Sequence, residues 1–142
     1  MENEIKKTMA MNNSAKKHYW VTPPDLMVSL KRRFHFDFDP CPFPRPDNFD
    51  GLAVQWGKKN WVNPPFTGGV MQWIRKAISE QQKGNMSVII LPLYQNRGIS
   101  VLMDAKAKIE FFGKPRFRAM EDGTPNPARS GDLIPCVLCI LK

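Results

Sequence analysis

Apolar positions in this chain come in short runs, cut apart by proline and glycine clusters, and the runs switch between helical and strand periods. Leu26, Leu30 and Phe34 recur at i, i+4 and i+8 and predict a helix from Pro23 to about Phe34. Thr22 is placed to cap it, Pro23 suits the first helical position, and Asp25 completes a capping box of the Thr-x-x-Asp form. Lys31, Arg32 and Arg33 near its carboxyl end suit the helix dipole. Phe34-His35-Phe36-Asp37-Phe38-Asp39 alternates strictly, which predicts a short strand with the three phenylalanines on one face. Prolines 40, 42, 44 and 46 then stop regular structure, and an irregular loop runs through Asp50-Gly51. Leu52 to Gly57 fits no period. Lys59 to Asn63 predicts a second strand, and Gly68 to about Gln82 a helix with Val70, Trp73, Ile74, Ala77 and Ile78 on one face and Gly84 just past its end. Met86 to Leu93 is an almost unbroken apolar run of the kind found in buried parallel strands. A short helix over Ile99 to Ala105, a strand over Ala107 to Phe112, a polar and mobile loop over Met120 to Gly131 and a last apolar strand over Leu133 to Leu141 complete the series. Strand, helix, strand, helix, strand predicts an α/β domain with a mostly parallel central sheet and flanking helices.

The stretch that breaks the pattern most sharply is Trp61-Val62-Asn63-Pro64-Pro65-Phe66. Two consecutive prolines cannot donate to a sheet ladder, so the strand must stop at Val62. Asn63 precedes a proline and is pushed away from helical geometry. An amide side chain is thus presented from a stiff, extended backbone at the carboxyl end of a strand, the position at which open α/β sheets bind ligands. Asp39 and the loop from Pro92 to Arg97 follow the carboxyl ends of the other predicted parallel strands, so all three converge on one edge, with Trp20 and Thr22 in reach of the same crevice. Asp37 and Asp39 are candidates for binding ligand hydroxyls.

Composition adds a partner. The 142 residues make one domain, 18–142, with 42% hydrophobic content and a net charge of +8, and such an excess of basic residues favours a polyanion, most simply nucleic acid. Met1 to Lys17 lacks apolar periodicity and carries Lys6, Lys7, Lys16 and Lys17, as expected of a flexible basic arm. No apolar stretch is long enough to span a membrane, and nothing resembles a signal peptide; a cytoplasmic protein is expected. Three cysteines at unremarkable spacing fit a reduced protein better than a disulfide framework. Cys136 and Cys139 have C-x-x-C spacing, but residues three apart on a strand face opposite ways, so no metal site is expected. No P-loop and no nucleophile elbow is present.

Taken in order, Trp20-Val21-Thr22-Pro23-Pro24, Phe36 to Cys41, Phe49-Asp50-Gly51-Leu52 followed by Trp56, and Asn63-Pro64-Pro65-Phe66 resemble the small phage-type, Dam-like adenine-specific DNA methyltransferases. The resemblance runs from Trp20 to the end of the chain. It implies a Rossmann-like class I methyltransferase fold in abbreviated form: only residues 40–62 lie between Asp39 and Asn63, and Pro42-Phe43-Pro44 stands where such enzymes commonly carry a glycine-rich turn. It further implies S-adenosylmethionine as cofactor, with Trp20, Thr22, Pro23, Asp39, Pro40 and Cys41 at its pocket. Asn63, Pro64, Pro65 and Phe66 become the catalytic turn, the Asn63 oxygen and the Pro64 carbonyl accepting the two N–H bonds of the target amine while Phe66 stacks on the base. Tyr94, Arg97, Arg116, Arg118 and Arg129 are candidate nucleic-acid contacts. Methylation of adenine in RNA, methylation of a cytosine amine, and a non-catalytic nucleic-acid-binding protein on the same fold stay open, as does a homodimer.

Overall fold

A computed structural model describes residues 18–115, 118–121, 124–125 and 134–142. The expected basic arm, residues 1–17, lies outside these. The described chain runs β1 (His18–Val21), α1 (Pro24–Phe34), β2 (Lys59–Val62), α2 (Val70–Gln82), β3 (Met86–Pro92), α3 (Asn96–Asp104), β4 (Lys108–Gly113), β5 (Arg118–Glu121), β6 (Thr124–Pro125) and β7 (Cys136–Leu141).

The fold is α/β, with a four-stranded mixed sheet in the order β2-β3-β7-β4. β2 and β3 are parallel and are joined by α2, whereas β7 is antiparallel to both β3 and β4. Two of the three pairings are therefore antiparallel, which corrects the expectation of a mostly parallel sheet. The reason lies in the connection. A parallel neighbour needs a helical crossover, and no helix is described between β4 and β7, so β7 returns beside β4 in the opposite sense and inserts next to β3. β2, β3 and β4 still point the same way, so their carboxyl ends lie on one edge.

Alternation along the strands separates two cores. Val62, Ile89, Leu91, Val137, Cys139 and Leu141 pack under α2 and α3, against Val70, Ile74, Ala77 and Leu102. Trp61, Val88, Ile90, Leu138 and Ile140 pack on the opposite face with Leu30 of α1. The run Val88-Ile89-Ile90-Leu91 is continuous because both faces of the strand are covered. Cys136 and Cys139 fall on opposite faces, as their spacing requires.

Several expectations are revised. The strand over Phe34 to Asp39 shrinks to a single parallel bridge, Phe38 to Asn60, with the Asp37 amide donating to the Lys59 carbonyl at 2.9 Å and the Trp61 amide to the Phe38 carbonyl at 3.0 Å. His35 ends α1 in the left-handed region, so the period breaks: Phe34 and Phe36 join the α1 core, and Phe38 joins the other. Thr22 does not cap α1; Pro23 does, with ψ 138°, and no side-chain cap bond forms. Pro24 excludes helical geometry at the residue before it, so the helix cannot begin at the first of two prolines. The stretch Met120 to Gly131, read as a loop, begins in β5 and contains β6, and β5 pairs with the unforeseen β1; its remaining residues lie outside the description.

The stretch that fits no period, Leu52 to Gly57, is fixed by a buried charge. Glu80 sits on the core face of α2 with no solvent exposure. Its carboxylate accepts from the Trp56 amide at 3.3 Å, the Asn85 side chain at 2.8 Å and Lys76 Nζ at 3.0 Å. Burial alone would raise its pKa, but these three donors outweigh it and bring the group down to about 2. On the exposed side, Arg33 forks onto Glu110 at 2.7 and 2.6 Å, and Glu110 is likewise held at about 2, first by that bond. Both carboxylates therefore contribute stability that is present above the usual carboxylate range and lost as pH falls toward 2. Glu80→Ala is expected to cost about 3 kcal/mol, because it strands the buried Trp56 amide and Asn85 side chain. Urea unfolding of Glu80→Gln at neutral pH and near pH 3 should show most of its deficit at neutral pH; an equal deficit at both would refute the charge-based account.

Candidate active site at the carboxyl edge of the sheet

The site is built where β2 ends. Asn60, one turn of the ladder earlier, is buried and satisfied: its oxygen accepts from the Gly57 amide at 2.9 Å, and its nitrogen donates to the Gly57 and Met86 carbonyls at 3.0 and 2.9 Å. That locks the entry to β2, and Pro64 and Pro65 lock its exit. Asn63 emerges between them, half-buried. Its Nδ2 donates to the Thr22 hydroxyl at 3.4 Å, which ties the turn to the segment before α1. Thr22 is only 3% exposed, so its hydroxyl has a positioning role in place of the expected helix cap. The turn is pinned from a third side by Gln95, whose side chain donates to the Phe66 carbonyl at 2.7 Å.

These elements open onto a cleft of about 1480 Å³. Thr22, Asp39, Pro40, Cys41, Asn63, Pro64, Pro65 and Phe66 all line it, so eight of the ten residues expected at the catalytic turn and the cofactor pocket meet in one place. Pro23 is not on the lining; its neighbour Pro24 is. Trp20 belongs to β1, in register with Ala119 of β5. The candidate nucleic-acid contacts do not gather here. Tyr94 and Arg97 are exposed after β3 but off the cleft wall, Arg118 opens β5 opposite Val21, and Arg116 and Arg129 lie outside the described residues.

Asp39 is the electrostatic centre of the cleft. Burial raises its pKa to about 6, against the opposing pull of the Cys41 amide, which donates to its Oδ1 at 2.9 Å, and of Lys31 across the cleft. Burial also pushes the Cys41 thiol well up, with the neighbouring Asp39 adding to it, so this is an unreactive thiol. Asp37, the other candidate acid, has a structural partner: its Oδ1 accepts from the Lys59 amide at 3.1 Å. Phe66 is 7% exposed and belongs to the α1 core, so most of its ring is covered.

Residues that sequence reasoning missed form the opposite wall. Phe43, 36% exposed, Phe49, Asp50 and Trp73 all line the cleft. The signal for Gly51 was present in the sequence as a glycine beside an acid, but its reason is steric: a Cβ there would stand 1.9 Å from the Pro40 carbonyl oxygen. The 49–51 segment can close against Pro40 only without a side chain, and Trp56 Nε1 donates to the Gly51 carbonyl at 2.7 Å to hold it there.

Among the described residues no cluster of three or more His, Cys, Asp or Glu could hold a metal ion, and no helix is long and apolar enough to cross a membrane. Set against models of known families, curated proteins and solved structures, the chain matches none of them.

Because the folded state favours protonated Asp39, its stabilising effect is full below the ordinary carboxylate range and is lost as pH rises through about 6. Asp39→Asn keeps an oxygen for the Cys41 amide and removes the buried charge. It is expected to melt higher than the parent at pH 7.5 and equally at pH 4. A lower melting temperature at pH 7.5 would show that the carboxylate stabilises the fold.

Proposed function

We propose that this protein transfers a methyl group from S-adenosylmethionine to the exocyclic amine of adenine in DNA. The observation that carries the reading is the Asn63-Pro64-Pro65-Phe66 turn at the carboxyl end of β2, opening on the same cleft as Asp39. The finer fold assignment, an abbreviated Rossmann-like class I methyltransferase, belongs to this reading. Its support is that β2, β3 and β4 run in one direction with helices on both faces, β7 being a single reversed strand.

The cleft fits the cofactor in kind. A carboxyl at Asp39 suits ribose hydroxyls or an ammonium group, and the aromatic walls at Phe49 and Trp73 suit a planar base. When bound, the cofactor supplies an electrophilic sulfonium methyl. The chain supplies the activation of a poor nucleophile. The adenine amine has its lone pair delocalised into the ring. Acceptance of its two N–H bonds by the Asn63 oxygen and the Pro64 carbonyl favours a tetrahedral nitrogen with a directed lone pair. It also stabilises positive charge on that nitrogen as its new bond to carbon forms and the carbon–sulfur bond breaks. The surplus proton on nitrogen then passes to water. The Thr22 hydroxyl engages the Nδ2 end of the Asn63 amide, which leaves the orientation with oxygen as acceptor. The target base must leave the duplex to reach the turn. Phe66 gives the turn an apolar backing, and Phe43 is the more exposed aromatic for a base to stack upon.

Asn63→Ala is expected to lower transfer of labelled methyl groups to DNA by roughly 100-fold or more, with the folded state retained by circular dichroism. Thr22→Val should lower the rate by a smaller factor, through loss of amide orientation. Retained methylation in Asn63→Ala, or product analysis showing methylcytosine, would remove the adenine assignment. Calorimetry that detects no cofactor binding while nucleic acid still binds would favour a non-catalytic binding protein.

A further inference from the structure

The opposite edge of the sheet, where β2, β3 and β4 begin and β7 ends, carries a second cavity of about 440 Å³. Five of its lining residues are cationic: Arg33, Lys59, Lys106, Lys108 and Lys142. They come from five places in the chain: the end of α1, the start of β2, the turn after α3, the start of β4 and the residue after β7. Phe34, Met86 and Ile140 form an apolar floor between them.

Three observations separate this edge from a merely basic surface. The first is imbalance. Among the described residues, Glu110 is the only carboxylate paired with any of the five, shared between Arg33 and Lys108, and no ion pair joins Lys59, Lys106 or Lys142 to another described residue. The second is order. Strands in this sheet are spaced ~4.8 Å apart, so from Lys59 on β2, past Lys142 beside β3, to Lys108 on β4 the cations form a row about 14 Å long. Phosphates of one strand of duplex DNA recur every ~3.4 Å of axial rise and lie farther apart along the winding backbone, so the row is long enough to meet more than one of them. The third is placement. Lys106 adopts φ 71°, a left-handed conformation that non-glycine residues seldom take, and its amide donates to the Met103 carbonyl at 2.9 Å. The Lys142 carbonyl is held by Gln81 Nε2 at 3.0 Å. The row is thus carried on fixed backbone.

We propose that this edge is a second nucleic-acid contact, in which Arg33, Lys59, Lys106, Lys108 and Lys142 take the phosphates of one strand of DNA at the end of the sheet away from the Asn63 turn. β3 runs about 20 Å between the two edges, comparable to the width of a duplex, so a strand held here is not the stretch of backbone that flanks a base in the cleft. The contact is sequence-independent, since no base edge is read, and it does not rest on the methyl-transfer reading.

The test uses the full chain and a labelled duplex of mixed sequence, with affinity measured by fluorescence anisotropy across a salt series. Lys59→Gln, Lys106→Gln and Lys142→Gln combined remove three exposed cations that pair with no described carboxylate. The slope of log affinity against log salt is expected to fall by up to about 2.7, and affinity near 0.1 M salt by tenfold or more. A control away from this edge, Arg75→Gln with Lys114→Gln, should lose clearly less of both for each charge removed. Equal losses per charge in the two variants would assign the effect to net charge and overturn the proposal. So would unchanged duplex binding in the first triple, or loss of inorganic tripolyphosphate binding with duplex affinity intact, which would mark a pocket for a small anion. Asn63→Ala should leave the salt slope as it is, so failure here and failure of methyl transfer are read separately.

Discussion

A carboxylate with no access to solvent holds the candidate site together. Glu80 lies on α2, and its partners join that helix to two other segments: Trp56 in the loop before β2 and Asn85 in the turn before β3, with Lys76 one turn back on α2 itself. Loop 51–57 has no regular structure of its own, and Trp56 is its buried apolar side chain, with Val54 packed against the same core. Docked by Glu80, it places Gly51 against Pro40 and delivers the chain to Asn60, whose amide sets the register of β2 against β3. The cleft wall and the Asn63-Pro64-Pro65-Phe66 turn are the two ends of that one loop and strand. An ion group this deep is weak evidence for net stability, because an apolar replacement of equal volume can be as stable. What it supplies here is position: hydrogen bonds fix distances that apolar contacts leave loose.

The turn itself works by exclusion. Pro64 and Pro65 remove two ladder donors, and the residue before a proline is kept out of the helical region. The same rule acts twice, since Pro23 before Pro24 is held extended and delays α1. Two proline pairs thus deliver Thr22 and Asn63, 41 residues apart in sequence, to within 3.4 Å of each other. Each residue directly follows a strand, Thr22 after β1 and Asn63 after β2. Each is the last residue before a segment that cannot bend back.

This division explains what could be read from the chain. β3, α2 with Gly84 past its end, and the meeting of Asp39 with Asn63 were legible because each rests on a local pattern: an apolar run, a 3.6 period, a strand stopped by prolines. The place of β7 was not, since an apolar strand with both faces buried does not state which neighbour it takes or in which sense. Nor was β1, because its pairing with β5 spans nearly the whole chain. Glu80 was half legible. It falls on the stripe of Val70, Ile74 and Ala77, where a carboxylate with lysines four residues before and three after signals a buried, paired group. The alternation of Phe34, Phe36 and Phe38 misled because a left-handed residue at His35 and a single bridge at Phe38 break the period that the sequence displays.

Polarity along the strand axis then acquires a physical sense. At the carboxyl edge, acceptors dominate: the Asn63 amide, the Pro64 carbonyl and the Asp39 carboxyl, whose pKa burial raises to about 6. At the amino edge five cations meet one shared carboxylate. On the methyl-transfer reading, a cleft that accepts N–H bonds and admits a cationic sulfonium is served by acceptors, and Lys31 and Arg45 are the two cations on its described lining. Phosphate attraction needs no such fine placement, falls off slowly in low salt, and works at a distance from the chemistry. Five cations at the far end of a sheet about 20 Å long, beyond the screening length of ~10 Å at 0.1 M salt, attract a phosphate backbone without adding to the charge at the cleft.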